Sequence, residues 1–233
     1  MTALPRVAGR TSGSARFKLG MRSLVGGVTV IGAHGTDGHP VGLTATAVSS
    51  LSADPPSLLV CVNRQSTIAA ALVAGAAFSV NVLTEAQTDV AQAFGGQRPV
   101  RGTSRFAFGN WLRSADSEVP LLHGCRVAFE CVVADLHDWA THHIVIGTVA
   151  DIHFFDAEAG PLAYADGEYK VIRPLTGRSR TARTACSQSP SATSDPACAR
   201  DTAPQHGHWP PRCAQALRAG QGRPRGADGR LSL

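Results

Sequence analysis

The chain has 233 residues, 43% hydrophobic and 17% charged, with 24 glycines and a net charge of +5. That much apolar material excludes wholesale disorder and is enough for one ordinary core. No apolar run approaches the roughly 20 residues that span a bilayer. The first 20 residues carry Arg6, Arg10, Arg16 and Lys18 but no apolar stretch of the secretory kind, so the expected compartment is the cytoplasm, with no membrane partner.

Residues 1–14 read as a flexible N-terminus. The domain is expected over residues 15–172, and within 1–172 the dominant apolar period is two rather than 3.6, the signature of strands. Val28-Thr29-Val30-Ile31 is a predicted strand. Gly35-Thr36-Asp37-Gly38-His39-Pro40 turns the chain, and residues 41–48 return as the second arm of a hairpin. Asp54-Pro55-Pro56 cannot sit inside a ladder and introduces a third strand over 57–62. Ser66 and Thr67 then cap a short Ala-rich helix running to about Val73. Residues 78–82 alternate again. Thr84 with Gln87 three residues on forms a capping box, opening a helix that ends at Phe94-Gly95-Gly96. A polar loop with Arg98, Arg101 and Arg105 leads to two long strands over 125–136 and 143–155. Short strands, turn punctuation and two small helices, without regular βαβ crossovers, predict a mainly β fold: a closed antiparallel barrel with helical covers.

The composition breaks after Ile172. Residues 173–233 hold ten Arg and three Asp, a charge of +7, whereas the residues before them carry −2. The basic excess therefore belongs to a tail. The body has no basic stripe interleaved with aromatics, so no nucleic-acid partner is expected. The tail lacks Val, Ile, Phe and Tyr, and four leucines with Trp209 cannot build a core, so it is predicted to be disordered. Its composition resembles out-of-frame translation of a GC-rich gene as closely as it does a solvated natural tail. Three cysteines (Cys61, Cys125, Cys131) fall in the body and three (Cys186, Cys198, Cys213) in the tail, none in a C-x-x-C pair. Cys125 and Cys131, six apart in an apolar strand, are expected on one face as small core residues.

The common nucleotide and hydrolase signatures are missing: no G-x-G-x-x-G opening a helix, no G-x-x-x-x-G-K-[ST] and no G-x-S-x-G. Two hydroxyl-rich stretches stand at strand ends, residues 42–50 and residues 61–67. The second places Asn63, Arg64, Ser66 and Thr67 at a strand-to-helix junction. Backbone N–H groups, hydroxyls and a guanidinium there suit a phosphate. On spacing alone, helix capping accounts for the same hydroxyls more economically. His137, His142 and His143 have the spacing H-x4-H-H, but neighbours in a strand point to opposite faces, so no metal site is expected.

Met21-Arg22, Gly26-Gly27-Val28-Thr29-Val30 and Pro40-Val41-Gly42-Leu43-Thr44-Ala45-Thr46 are followed in order by Leu51-Ser52-Ala53-Asp54-Pro55-Pro56, by Phe78-Ser79-Val80-Asn81-Val82-Leu83, and by residues 85–95 and 164–169. Together they resemble the flavin reductase family over about residues 15–172. These are the small partner components of two-component flavin-dependent monooxygenases. The resemblance implies an FMN-binding split β-barrel of Greek-key type, usually a homodimer with flavin near the subunit interface. It implies that Thr44, Ala45, Thr46, Ala47, Val48, Ser49 and Ser50 wrap the isoalloxazine ring and ribityl chain, largely through backbone groups. Asn63, Ser66 and Thr67, beyond Cys61 in the same flavin-binding stretch, would take the phosphate, and Phe94 and Gly95 would close over the flavin. The family carries a Gly-Asp-His segment whose His lies at the nicotinamide site. Counted back from Gly147, that histidine is His142, preceded here by Ala140-Thr141.

The implied activity is hydride transfer from C4 of NADH or NADPH to N5 of FMN or FAD, needing no acid, base or nucleophile from the protein. Reduced flavin would pass to a separate monooxygenase. Two alternatives stand beside it: reduction of another acceptor, such as a corrinoid or ferric complex, and a non-catalytic flavin- or haem-binding module.

Overall fold

A period-two chain must pair its strands edge to edge, and here seven of the twelve enter one antiparallel ladder. The computed structural model describes residues 13–175. The flexible N-terminus and the disordered tail expected from the sequence lie outside the described residues, apart from Gly13, Ser14 and residues 173–175. Helix α1 (Ser14–Arg22) opens the described chain, followed by β1 (Gly26–Gly27), β2 (Thr29–His34), β3 (Pro40–Ala45), β4 (Val48–Ala53), β5 (Pro56–Asn63) and β6 (Ala77–Val82). Helix α2 (Thr88–Phe94) precedes β7 (Trp111–Arg113), β8 (Pro120–Leu122), β9 (Val127–Trp139), β10 (His142–Phe154), β11 (Leu162–Ala165) and β12 (Glu168–Val171). The fold is mainly β, as expected.

The main sheet has seven strands in the order β3-β2-β6-β9-β10-β5-β4. Its edges, β3 and β4, are consecutive in the chain, with only Thr46 and Ala47 between them. Three Cα steps reach at most about 11 Å. The sheet must therefore curl until its two edges nearly meet. The barrel is split, not closed by hydrogen bonds as the strand pattern suggested, and the split lies at Thr46-Ala47. For the same reason the strand expected over 41–48 is two strands: after Ala45 the chain leaves β2, and from Val48 it pairs with β5.

Burial follows the curl. One cluster gathers Ile31, Val60, Val62, Phe78, Val80 and Val145. A second gathers Val28, Val30, Leu83, Phe94 and Leu122, beneath α2 and β8. β2 supplies both, and all of its residues but His34 are buried. The ladder's outer side is tied to β8 through buried polar groups, which must be satisfied where water is excluded. Ser79 Oγ donates to the Pro120 carbonyl at 2.6 Å, and the Leu122 N–H donates to Asn81 Oδ1 at 2.8 Å.

Other expectations change in detail. α1 was not foreseen because none of its residues is buried, so its sequence carries no core-facing stripe. The helix expected after Ser66 is a single 3-10 turn, Ala69–Ala71, without a side-chain cap. The capping box is present: the Thr84 N–H donates to Gln87 Oε1 at 3.1 Å, opening a 3-10 turn that runs into α2. Cys125 and Cys131 are both buried, but Cys125 precedes β9 and joins the second cluster while Cys131 joins the first. They do not share a strand face. No helix among the described residues is long and apolar enough to cross a membrane.

Gly147 of β10 leaves the room that Phe78 fills: a Cβ there would stand 2.5 Å from Phe78 Cζ and 3.3 Å from Cys131 Cβ. Phe78 is fully buried and cannot retreat. Gly147→Ala is expected to destabilise the fold by about 1–3 kcal/mol, the usual cost of overpacking, read from the midpoint of a urea transition. An unchanged midpoint would show that the Phe78 ring is not wedged over β10.

Candidate functional site

The split decides where a ligand can reach backbone. Next to Thr46 and Ala47 lies an open cleft of about 420 Å³ whose far wall is α1, with Phe17 and Met21, and whose floor includes Gly26 and Tyr164. A smaller cleft of about 200 Å³ adjoins it, lined by Thr44, Thr46, Gly95, Gln97, Tyr164 and Tyr169. Burial raises the Tyr169 phenol above its ordinary pKa, helped by Tyr164 beside it, so it stays a neutral hydroxyl.

The residues of the first hydroxyl-rich stretch divide into those that face this cleft and those that hold the frame. Thr46 and Ala47 are exposed at its rim. Thr44 also lines it, but its Oγ1 donates to the Ala91 carbonyl at 2.8 Å, pinning β3 to α2. Ala45 is buried, and its carbonyl accepts from Thr29 Oγ1. The Ala47 carbonyl accepts from the Cys61 N–H at 3.0 Å, which locks the crossing to β5. Val48 packs against the core, whereas Ser49 and Ser50 are exposed along edge strand β4.

Phe94 does not close over this cleft. It is only 2% exposed and sits in an aromatic cluster with Phe106 and Trp111, at centroid distances of 4.9 and 5.3 Å. Strand β3 runs over it, and a Cβ at Gly42 would lie 2.9 Å from its ring. Gly95 does reach the cleft, at the C-terminal end of α2.

The second stretch is built as a turn. Asn63 Oδ1 accepts from the Gln65 N–H at 2.9 Å, and the Asn63 carbonyl accepts from both the N–H and the Oγ of Ser66. With a 3-10 turn in place of a helix, Asn63 Oδ1 and the Ser66 N–H and hydroxyl proton are engaged in local bonds. Thr67 is exposed and faces a third cleft of about 330 Å³, together with His39, Thr103 and Arg105. Arg105 donates from Nη1 to the Gly42 carbonyl at 3.3 Å, and its buried Nε has no partner among the described residues. The sequence places Arg105 in a polar loop; no local pattern says that this loop shares a cleft with Thr67.

His142 opens β10, in register with Asn63 of β5 and Trp139 of β9. Thr141 Oγ1 lies 2.9 Å from His142 Nδ1, and the Thr141 carbonyl accepts from the Arg64 N–H at 3.0 Å. Ala140 has φ +49°, a left-handed conformation natural to glycine. His143 turns away from His142 to meet Asp138 at 2.5 Å, and Arg64 adds an ion pair to the same carboxylate at 3.6 Å. The hydroxyl-rich turn and the histidine thus share one end of the β5–β10–β9 sheet.

Residues 21–173 match a family model described as a flavin reductase like domain. The chain is 35% identical over 192 residues to the FMN reductase (NADH) RutF 1 of Methylorubrum extorquens strain PA1, covering 82% of this chain and 92% of that one. It is also 35% identical over 158 residues to the flavin-dependent monooxygenase reductase subunit HsaB of Mycobacterium tuberculosis, covering 66% and 81%. Among solved structures, the NADH:FAD oxidoreductase SgcE6 of Streptomyces globisporus C-1027, in complex with NAD and FAD fragments, superposes with a TM-score of 0.62 at 25% identity, covering 69% and 93%.

Burial pushes the Cys125 and Cys131 thiols up to about 12, with Glu130 adding to the effect at Cys131, so neither presents a thiolate near neutrality. Cys61 is only partly buried. Brief alkylation of the folded protein at mildly alkaline pH, followed by peptide mapping, should modify Cys61 and leave Cys125 and Cys131 until denaturant is added. Labelling of Cys131 ahead of Cys61 would contradict this packing.

Proposed function

Because the chain belongs to the flavin reductase family, we propose that it uses NADH or NADPH to reduce FMN or FAD and releases the reduced flavin to a separate monooxygenase. The observation that carries this reading is the split itself. Strand β3 lines two clefts: one at its Thr44 end, walled by strand-end backbone, a glycine and two tyrosines, and one at its Pro40 end, lined by Arg105 and Thr67. A flat heteroaromatic ring edged with hydrogen-bonding atoms suits the first, and a phosphate suits the second.

In this reading Thr46, Ala47 and Gly95 hold the ring edge, and Thr44 and Ala45 keep the strand in place behind them. Thr67 and Arg105 take the phosphate; Asn63 and Ser66 shape the turn that presents Thr67. The flavin, when bound, supplies the chemistry by accepting at N5 the hydride that leaves nicotinamide C4, so the chain need contribute no acid, base or nucleophile. His142 positions the nicotinamide. Thr141 orients its imidazole through Nδ1, the service an aspartate gives at this place in the family, and leaves Nε2 free to face a ligand. The exposed apolar side chains of α1 and its exit, Phe17, Leu19, Met21, Leu24 and Val25, support a homodimer in which a second copy covers the outer wall of the 420 Å³ cleft.

Purified protein should oxidise NADH in air only when FMN or FAD is added. Arg105→Ala is expected to raise the flavin KM about 10- to 100-fold, the worth of a charge-assisted hydrogen bond of roughly 1.5–3 kcal/mol. His142→Ala should raise the nicotinamide KM while flavin binding holds. Equal losses in both constants would refute the positioning role. Flavin binding without NADH oxidation would replace the reductase with a binding module, and faster turnover with a corrinoid or ferric complex would move the physiological acceptor there.

A further inference from the structure

Away from the clefts, the β9–β10 ribbon carries a polar cluster that flavin reduction does not use. A register shift between Val149 and Asp151 sets Asp151 opposite Glu130, and His153, two residues on, points to the same face. One donor atom from each of Glu130, Asp151 and His153 lies within 4.8 Å of the others. His153 Nε2 is 2.5 Å from Glu130 Oε1 and 3.5 Å from Asp151 Oδ2.

Glu130 is the anchor. It is 7% exposed, and its second oxygen accepts from Ser114 Oγ at 2.5 Å and Ser117 Oγ at 2.7 Å, both in the loop between β7 and β8. Asp151 and His153 lie toward solvent, with side-chain exposures of 66% and 32%. The result is a fixed carboxylate, a second carboxylate and an imidazole converging on a point open to water.

We propose that Glu130, Asp151 and His153 bind a divalent transition cation, with zinc the best match, and that Ser114 and Ser117 orient the Glu130 carboxylate. The donor set decides the class. An imidazole nitrogen with two carboxylates suits zinc and its neighbours, whereas calcium and magnesium prefer oxygen alone. Three protein ligands leave a fourth, tetrahedral position for water. Donors at about 2.0–2.1 Å from zinc stand roughly 3.3 Å apart. Nε2 and Oε1 must therefore separate by under ~1 Å, which the partly exposed His153 ring allows. The hydroxyls on Glu130 are the outer hydrogen bonds that such ligands need.

The test is equilibrium dialysis of the full, tag-free, metal-stripped chain against zinc, and separately against cobalt, for the parent, Asp151→Asn and His153→Ala. The parent should hold one more equivalent of zinc than either variant. Zinc should also raise the parent's Tm but not that of Asp151→Asn, whose exposed side chain is not needed for folding. The chain's other cysteines and histidines also attract metal, so the cobalt spectrum matters: the equivalent lost in the variants should lack a thiolate-to-cobalt charge-transfer band. The same stoichiometry in all three proteins, no difference in the Tm response, or a thiolate band in the lost equivalent would overturn the site. In that event Glu130 and His153 form an ion pair that fastens the 114–117 loop and nothing more.

Discussion

Thr46 and Ala47 must carry the chain from one edge of a seven-stranded ladder to the other, and two residues can do that only if the sheet has curled almost shut. The core geometry follows from this. β2 must bury both of its faces, one toward the barrel interior and one toward α2 and β8. Gly147 must lack a side chain because the Phe78 ring occupies the space inside the curl. Ser79 and Asn81 can be polar and fully buried because β8 lies across the outside of the sheet and takes up their hydrogen bonds.

The same constraint explains why the candidate site stands where it does. Edge strands leave backbone N–H and C=O groups without a ladder partner, and a split barrel places two such edges next to each other. A ring with donors and acceptors around its rim can use both. Arg105, from a loop about forty residues further along the chain, lines the same cleft as Thr67 and is the side chain proposed for the charged part of a nucleotide.

What could be read in the sequence is what local periodicity controls. β2, β5, β6, β9 and β10 alternate because each has at least one face in a dry core, and the Thr84–Gln87 box is complete within four residues. The misreadings share a physical cause: they depend on partners far away in the chain. Residues 41–48 look like one strand because nothing in Thr44-Ala45-Thr46-Ala47 marks a change of neighbour from β2 to β5. Ser66 and Thr67 look like helix caps because a turn closed by Asn63 uses the same polar residues. The burial of Phe94 is likewise set at a distance, its ring held inside by Phe106 and Trp111. α1 left no periodic signal because it buries nothing within this chain. Arg105 is visible as a charge but not as part of a cleft wall with Thr67, since its placement is set by the fold of the whole 98–107 loop.

The crossing at Thr46-Ala47 also has a kinetic meaning. The ladder consists of three local hairpins, β2–β3, β4–β5 and β9–β10, with β6 inserted between the first and the last. Hairpins with near neighbours in sequence close early, but β5 meets β10 across some eighty residues, and loop-closure entropy makes such pairings slow. The cleft at the split exists only once β2–β3 and β4–β5 have both docked on the far sides of the central strands. A nascent or partly unfolded chain therefore has no half-formed cleft at the split. A ligand that binds only the completed cleft would in turn oppose detachment of either hairpin.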